Sequence, residues 1–559
     1  MQGSTIPSWT ANPSVPSMEL ELEPAPATAP QVNGAGGPTA RRIVAAHRLP
    51  LRASEDPDSP FGFAFSIDPD AVAFQLSRGL PAPLTFIGTL PASAESKIVP
   101  SDELDNYLME NFSCLPVYLD GARHSEFYDD FCKHYLWPLV HYLLPLSPAH
   151  DGDLRFDAGM YRTFLAVNKQ FADRVTEVVS PDDGDLVIVH DYHLWVLPTF
   201  LRRKCPRAGL GFFLHSSFPS PEIFSDVPVR DDLLRGLLNA DLVGFQTADY
   251  ARHFVTCCSR HLGVSGGART GHTTGINYHG RTVVVKTLSV GLDLGWLRAT
   301  LATPEAAAKA KEIAEAYRGR TLIVGVDDVD LFKGVKLKLL AMEKMLETHS
   351  NVHEQVVLVQ INNPARSRGR DVDGVRGETQ QILQRINTRF ARADTAPVVM
   401  IDGPVPMSEK VAYYAAADCC VVSAVRDGLN RVPYFYTACR EEAPGARKHS
   451  AVVVSEFAGC SPTLRGAIRV DPWDLEGLAN AMHAAVTTMS AEEKQARHRS
   501  NYDYLRANDA VTWAQAFDDA LQLACKDHST TLFVGLGLGM SYRAATIQPS
   551  IRTLATALQ

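Results

Sequence analysis

The chain has 559 residues and 45% of them are hydrophobic, so at roughly 150 residues per domain it holds three or four domain-sized units with a large core. Its 54 Lys and Arg are outnumbered by 63 Asp and Glu, for a net charge of -9, which argues against nucleic-acid binding through bulk positive charge. A local basic pocket for a small anion stays open.

The ten cysteines form no CxxC pair, and the doublets Cys257-Cys258 and Cys419-Cys420 sit inside apolar runs. They read as buried free thiols in a reducing compartment. No basic-then-apolar start reads as a signal peptide, and no apolar stretch is long enough to span a bilayer. A soluble cytoplasmic protein that binds neither nucleic acid nor membrane is the expectation.

In chain order, residues 1–40 are rich in Pro, Ala, Ser and Gly and read as a disordered tail. The run "RRIVAAHRLPL" from Arg41 reads as a first buried strand. "DLVIVHDYHL" from Asp185 and "GLGFFLHSSFP" from Gly209 read as buried parallel strands ending in polar loops. "WVLPTFLRRK" between them reads as a helix with Pro198 near its start. The theme recurs from Ala240, Arg320, Glu354, Ala396, Asp418 and His449. Continuous Val/Ile/Leu runs alternating with helices indicate α/β units covered on both faces. Two doubly wound Rossmann-like domains facing across a cleft follow, over residues 41–295 and 296–490. Charged helices over 491–526 pack back, and 527–559 form a tail. The GLGLG there lacks the spacing of a nucleotide-binding loop and reads as loose chain or a strand.

Ligands of such folds sit at the carboxyl ends of the strands. His190, Asp191, Tyr192 and His193 fall at one such end and His215 at another. His190 and His193 lack a helical HExxH context and a third ligand, so no metal is expected. "GVDDVDLFKGVKLKLL" puts Lys333 and Lys336 where a helix N-terminus can help hold phosphate oxygens. Its Asp328-x-Asp330 spacing resembles a phosphatase motif, but Leu331-Phe332-Lys333 supply no hydroxyl. Asp427-Gly428-Leu429-Asn430 forms a turn opening a helix, either a plain N-cap or a set of backbone N–H groups for a diphosphate.

Taken together and in this order, "YLWPLVHYLLP", "VHDYHLWVLPTFLR", "GFFLHSSFPSPEIF", "DLVGFQTADYARHF", "VDDVDLFKGV", "RDGLN" and "SEFAGCSPTLRGAIRVDPWD" resemble the trehalose-6-phosphate synthase family. This is a group of retaining glycosyltransferases, family 20, with the two-domain GT-B fold. The resemblance covers roughly residues 41–525. "VDDVDLFKGVKLKLLAMEK", "NPARSRGRDV" and "ACREE" are similar to the plant class II synthase-like proteins, and the chain ends at Gln559, before the phosphatase-like domain usual in that subgroup could fit.

The resemblance implies glucose transfer from UDP-glucose to glucose-6-phosphate with retention, without metal or other cofactor. It implies an acceptor-binding first domain and a UDP-sugar-binding second one. Arg48 then corresponds to the arginine on the acceptor phosphate. Tyr128, Trp137 and Asp191 match acceptor-side positions. His215 matches the histidine beside donor glucose, Lys333 the diphosphate lysine, and Asp427 the acid on the glucose hydroxyls. Arg366 or Arg368 supplies another phosphate contact. Gly428, Leu429 and Asn430 present backbone groups to the donor.

Departures from the pattern concentrate on the donor side. Asp328 replaces an arginine of the "VDRLDYxKG" pattern, and Phe435 replaces the glutamate that grips the UDP ribose. No Gly-Gly turn follows the first strand, AHR replaces SNR, and "SVGLDLGWL" departs from "PVGIxxxxL". At about 5 Å and an effective dielectric of about 20, each unit-charge interaction is worth roughly 3 kcal/mol, so an Arg-to-Asp swing approaches roughly 6 kcal/mol before relief. The expectation is a synthase-like protein of trehalose metabolism with catalysis weakened or lost through Asp328 and Phe435. The alternative is a fully non-catalytic regulator that binds sugar phosphate or partners an active synthase.

Overall fold

The computed structural model describes residues 40–143, 156–270, 273–365, 370–392, 395–445, 447–526, 531–534 and 543–546. Arg366, Arg368, the GLGLG run and, apart from Ala40, the expected N-terminal tail lie outside the described residues.

The strands of the first half are β1 (Arg42–Arg48), β2 (Leu51–Glu55), β3 (Phe63–Ile67), β4 (Leu84–Thr89), β5 (Cys114–Pro116), β6 (Leu186–His190), β7 (Gly209–Leu214), β8 (Leu242–Phe245), β9 (Gly266–Thr270), β10 (Thr273–Tyr278) and β11 (Arg281–Thr287). Those of the second half are β12 (Thr321–Asp328), β13 (Val356–Asn363), β14 (Val398–Asp402), β15 (Cys419–Val422), β16 (Ala451–Ser455) and β17 (Ile468–Val470).

The first sheet runs β5-β4-β1-β6-β7-β8-β11-β10-β9, parallel up to β11 and antiparallel beyond it. The second runs β14-β13-β12-β15-β16-β17, parallel throughout. Every residue of β6, β7, β15 and β16 is buried, which is why their sequences run apolar without alternation. Val187 pairs with Ile43 on one side and Leu210 on the other. Strand order reverses at β1 and at β12, so a crevice opens beyond their carboxyl ends.

Where a Gly-Gly turn was missing, the chain makes a hairpin of β2 and β3. Phe63 and Phe65 anchor it against Val44 and Leu49. A short helix, Val72–Ser77, follows. Pro198 starts the helix Leu197–Lys204, where its missing N–H is harmless. Near the end of the chain, β18 (Thr531–Val534) and β19 (Arg543–Thr546) pair antiparallel. No helix among the described residues is long and apolar enough to cross a membrane, and all ten cysteines are free.

The two closing helices pack on different halves. Ala491–Ala507 lies on the second, where Asn501 Oδ1 accepts from Gly466 N at 2.8 Å. Ala510–Lys526 returns to the first sheet, with Phe517 against Gly211 and Gly244. There Arg42 Nε and Nη2 donate to Asp518 Oδ1 and Oδ2 at 2.7 and 2.9 Å, a buried fork tying the helix to β1. Removing one partner of such a pair strands a buried charge. Asp518→Ala is therefore expected to lower unfolding free energy by about 3–5 kcal/mol, read as an earlier denaturant midpoint.

Candidate functional site

The crevice between the two sheets is a cavity of about 480 Å³. Its walls carry Trp137, Asp191, His215, Asp328, Lys333, Asp427, Gly428, Leu429, Asn430 and Phe435, so most of the residues picked from sequence converge. They come from both halves of the chain.

Lys333 sits in a single turn, Leu331–Lys333, just past β12. Gly334 follows at φ +69, and a Cβ there would strike the Ser423 carbonyl. Ser423 Oγ donates to Gly334 O at 2.8 Å and Val425 N to Phe332 O at 2.8 Å. These bonds stitch the turn to the end of β15, and Lys333 Nζ then reaches Asp427 Oδ2 at 2.6 Å with both side chains buried. Asn430 Nδ2 donates to the same oxygen at 3.0 Å.

The first half meets this turn directly. Tyr250 Oη donates to the Asp427 carbonyl at 2.8 Å. Gly428 abuts the His215 carbonyl so closely that a Cβ would lie 2.5 Å from it. Trp137 Nε1 donates to Asp330 Oδ2 at 3.3 Å, and His141 stacks on Phe332 with ring centres 4.0 Å apart.

Asp191 holds the backbone at φ 67, ψ 173, a region almost reserved for glycine. What secures it is its own carboxylate. Oδ1 accepts from His215 N, Ser216 N and Ser216 Oγ at 3.1, 3.2 and 3.0 Å. The strain fixes the relation between the ends of β6 and β7. His190 Nδ1 lies 2.8 Å from His215 Nε2, so one ring donates and the other accepts. Burial pushes both histidines down, His215 to about 3 with help from the Arg431 cation, and His190 with help from His215. Both are neutral at pH 7.

Where the acceptor is expected, Arg48 and Tyr128 do not line the cavity, whereas His47 does. The Tyr128 ring stacks on His47 at 4.1 Å, and the Lys133 ammonium and Arg48 guanidinium lie 4.4 and 5.6 Å from its centre. His47 also stacks on His193 at 4.8 Å. Burial, then His193 and Arg48, hold His47 well below its ordinary value. Tyr128 and Lys133 belong to a π-helical stretch, Ser125–Leu136, of the kind that often marks a site. The sequence flagged His47 only as the middle of AHR.

Two expectations change. Lys336 does not join the cavity; its ammonium pairs with Glu378 at 2.6 Å on the exposed surface. The Gly428–Asn430 turn keeps its place in the wall, fixed by Leu429 O, which accepts from Cys460 N at 2.7 Å, and by Asn430 Oδ1, which accepts from Val432 N at 3.1 Å. Pro433 then has no N–H to offer. Asp328 does not stand alone: its Oδ1 accepts from Asn363 Nδ2 at 3.2 Å, and Asn363 Oδ1 accepts from Lys410 Nζ at 2.9 Å. Burial lowers Lys410, and Asp328 opposes that. Part of the Arg-to-Asp swing is therefore relieved by Lys410. Sequence spacing shows none of this, because 82 positions separate Asp328 from Lys410.

Among the described residues no group of three or more His, Cys, Asp or Glu side chains gathers as a metal site. The charged wall carries Asp191, Asp327, Asp328 and Asp427 against Lys333, Lys410 and Arg431.

The glycosyltransferase family 20 profile matches residues 40–523. The chain is 47% identical over 533 residues to probable alpha,alpha-trehalose-phosphate synthase [UDP-forming] 9 of Arabidopsis thaliana, covering 94% of this chain and 61% of that protein. It thus spans about three fifths of the length of that curated relative. Its fold is similar to the N-terminal domain of Candida albicans trehalose-6-phosphate phosphatase, with a TM-score of 0.74 and 26% identity over 88% of this chain and 98% of the other. It is also similar to a UDP-forming alpha,alpha-trehalose-phosphate synthase of Burkholderia xenovorans solved with glucose-6-phosphate, with a TM-score of 0.72 and 26% identity over 86% and 100%. With the profile running across both sheets and the cavity between them, the chain has the GT-B fold of these synthases and belongs to glycosyltransferase family 20.

Proposed function

We propose that this chain is a trehalose-6-phosphate synthase-like protein that binds a sugar phosphate and in which glucosyl transfer from UDP-glucose is weak or absent. The observation that carries the reading is Asp328 on the cavity wall beside Lys333. Departure of UDP builds negative charge on a diphosphate, and a site that drives it must offer uncompensated cations there. Here Lys333 is engaged by Asp427 at 2.6 Å and Lys410 by the Asn363–Asp328 link, while Arg431 is bonded to the Gln75 amide rather than to a carboxylate. Four carboxylates stand against three cations on the described wall. Phe435 offers a ring where a ribose-binding carboxylate is expected, and its neighbours are Trp296 and Tyr414, at 6.1 and 6.3 Å between ring centres.

The acceptor side supports sugar-phosphate binding. Arg48 and Lys133 flank Tyr128, and Trp137 walls the cavity. Glucose-6-phosphate, the ligand named for the Burkholderia xenovorans structure, is the first candidate. The ten free thiols suit a reducing compartment, and the cytoplasm is the proposed one.

A second reading, a working synthase, is favoured by one observation: Asp191, His215, Lys333 and Asp427 all meet on one cavity. Turnover decides between the two. Purified chain given UDP-glucose and glucose-6-phosphate is expected to release no UDP above a no-enzyme control. A kcat of roughly 1 s⁻¹ or more, ordinary for enzymes, makes it a synthase. In calorimetry, the Asp328→Arg, Phe435→Glu double variant is expected to bind UDP at least about tenfold more tightly than wild type, a small part of the bare Coulomb swing. An unchanged affinity moves the defect to the β2–β3 hairpin. Binding of neither sugar phosphate nor nucleotide leaves only partnership with an active synthase.

A further inference from the structure

Arg431 is a cation of the cavity wall that the glucosyl-transfer roles do not use. It follows the Asp427–Asn430 turn and precedes the helix Val432–Glu442. Its Nη2 donates across the cleft to Gln75 Oε1 at 3.0 Å, on the helix Val72–Ser77. Its guanidinium lies 5.0 Å from the centre of the Phe435 ring. Its Nε is buried and has no hydrogen-bond partner among the described residues.

The acid that acts on it, Asp293, is already engaged. Asp293 Oδ2 accepts from Arg78 Nη1 at 2.7 Å, and Oδ1 accepts from Trp296 N at 2.9 Å. Burial disfavours the charged guanidinium and pushes it down to about 10, still a cation at neutral pH. A buried donor without an acceptor is destabilising, and an anion on that fork relieves it.

Lys410 adds a second positive charge on this side of the cavity.

We propose that the donor half of the cavity binds a sugar monophosphate, with its phosphate on Arg431. This rests on the reading of the cavity as a sugar-phosphate site and names the residue that makes its donor half one. A planar guanidinium matches the oxygens of one compact phosphate. The Phe435 ring beneath it supplies an apolar floor and no carboxylate to repel the anion.

The test is calorimetry on the full chain with glucose-1-phosphate, inorganic phosphate and UDP-glucose as probes, on wild type, Arg431→Gln, Arg431→Lys and Lys336→Gln. Glucose-1-phosphate is expected to bind more tightly than inorganic phosphate. Arg431→Gln is expected to weaken it at least about tenfold, the loss of one charge-assisted hydrogen bond, with Arg431→Lys in between. Lys336→Gln is expected to leave it within about twofold, since Lys336 pairs with Glu378 on the exposed surface, outside the cavity wall. Affinity unchanged in Arg431→Gln, or lost equally in Lys336→Gln, overturns the proposal and leaves Arg431 as a clasp to Gln75. Thermal melts of each variant separate lost binding from lost fold. UDP-glucose turnover by wild type defeats the functional reading instead, whatever the Arg431 variants do.

Discussion

Asp427 is where the two halves of the molecule are joined into one site. Its carboxylate is shared by Lys333 from the end of β12 and Asn430 from its own turn. Its carbonyl takes Tyr250 Oη from the first half and Gly459 N from the second. Breaking one partner of a buried ion pair costs about 3–5 kcal/mol, so this arrangement persists only because all its members hold it. Gly428, next in sequence, lets the turn sit against the His215 carbonyl, and any side chain there would push the halves apart. Strand ends, turn and histidine pair thus occupy fixed positions before any ligand arrives.

The same pairing sets what the cavity can do. A lysine held by a carboxylate at 2.6 Å is positioned, but its charge is largely spoken for. Asp328, Asn363 and Lys410 repeat the pattern with an amide between the charges. His190 and His215, both held neutral by burial, add no positive charge at pH 7. Apart from Arg431, the wall is therefore polar and locally balanced, a poor match for a multiply charged leaving group and a better one for hydroxyls and a single phosphate.

Much of this was legible in the sequence because the signal was local. β6 and β7 announced themselves as unbroken apolar runs ending in His190-Asp191 and His215, and parallel topology dictates that such ends face a ligand. Asp328 and Phe435, singled out through the family resemblance, both line the cavity. What could not be read depends on long-range geometry. Spacing offers Lys336 to a phosphate as readily as Lys333, but one turn of helix carries it to Glu378 on the surface. His47, stacked on Tyr128, lines the cavity where Arg48 does not, and only folding brings residues 47, 128 and 193 together. Arg431 lay one position beyond the recognised turn; a charged residue directly before an apolar helix start was the signal available.

The central claim is that the donor half no longer holds a nucleotide diphosphate. Calorimetric titration of the wild-type chain with UDP tests it most directly, because it needs neither acceptor nor turnover. The account predicts no saturable binding up to about 1 mM, weaker than about 4 kcal/mol of binding free energy. A dissociation constant in the low micromolar range, about 8 kcal/mol, would contradict it.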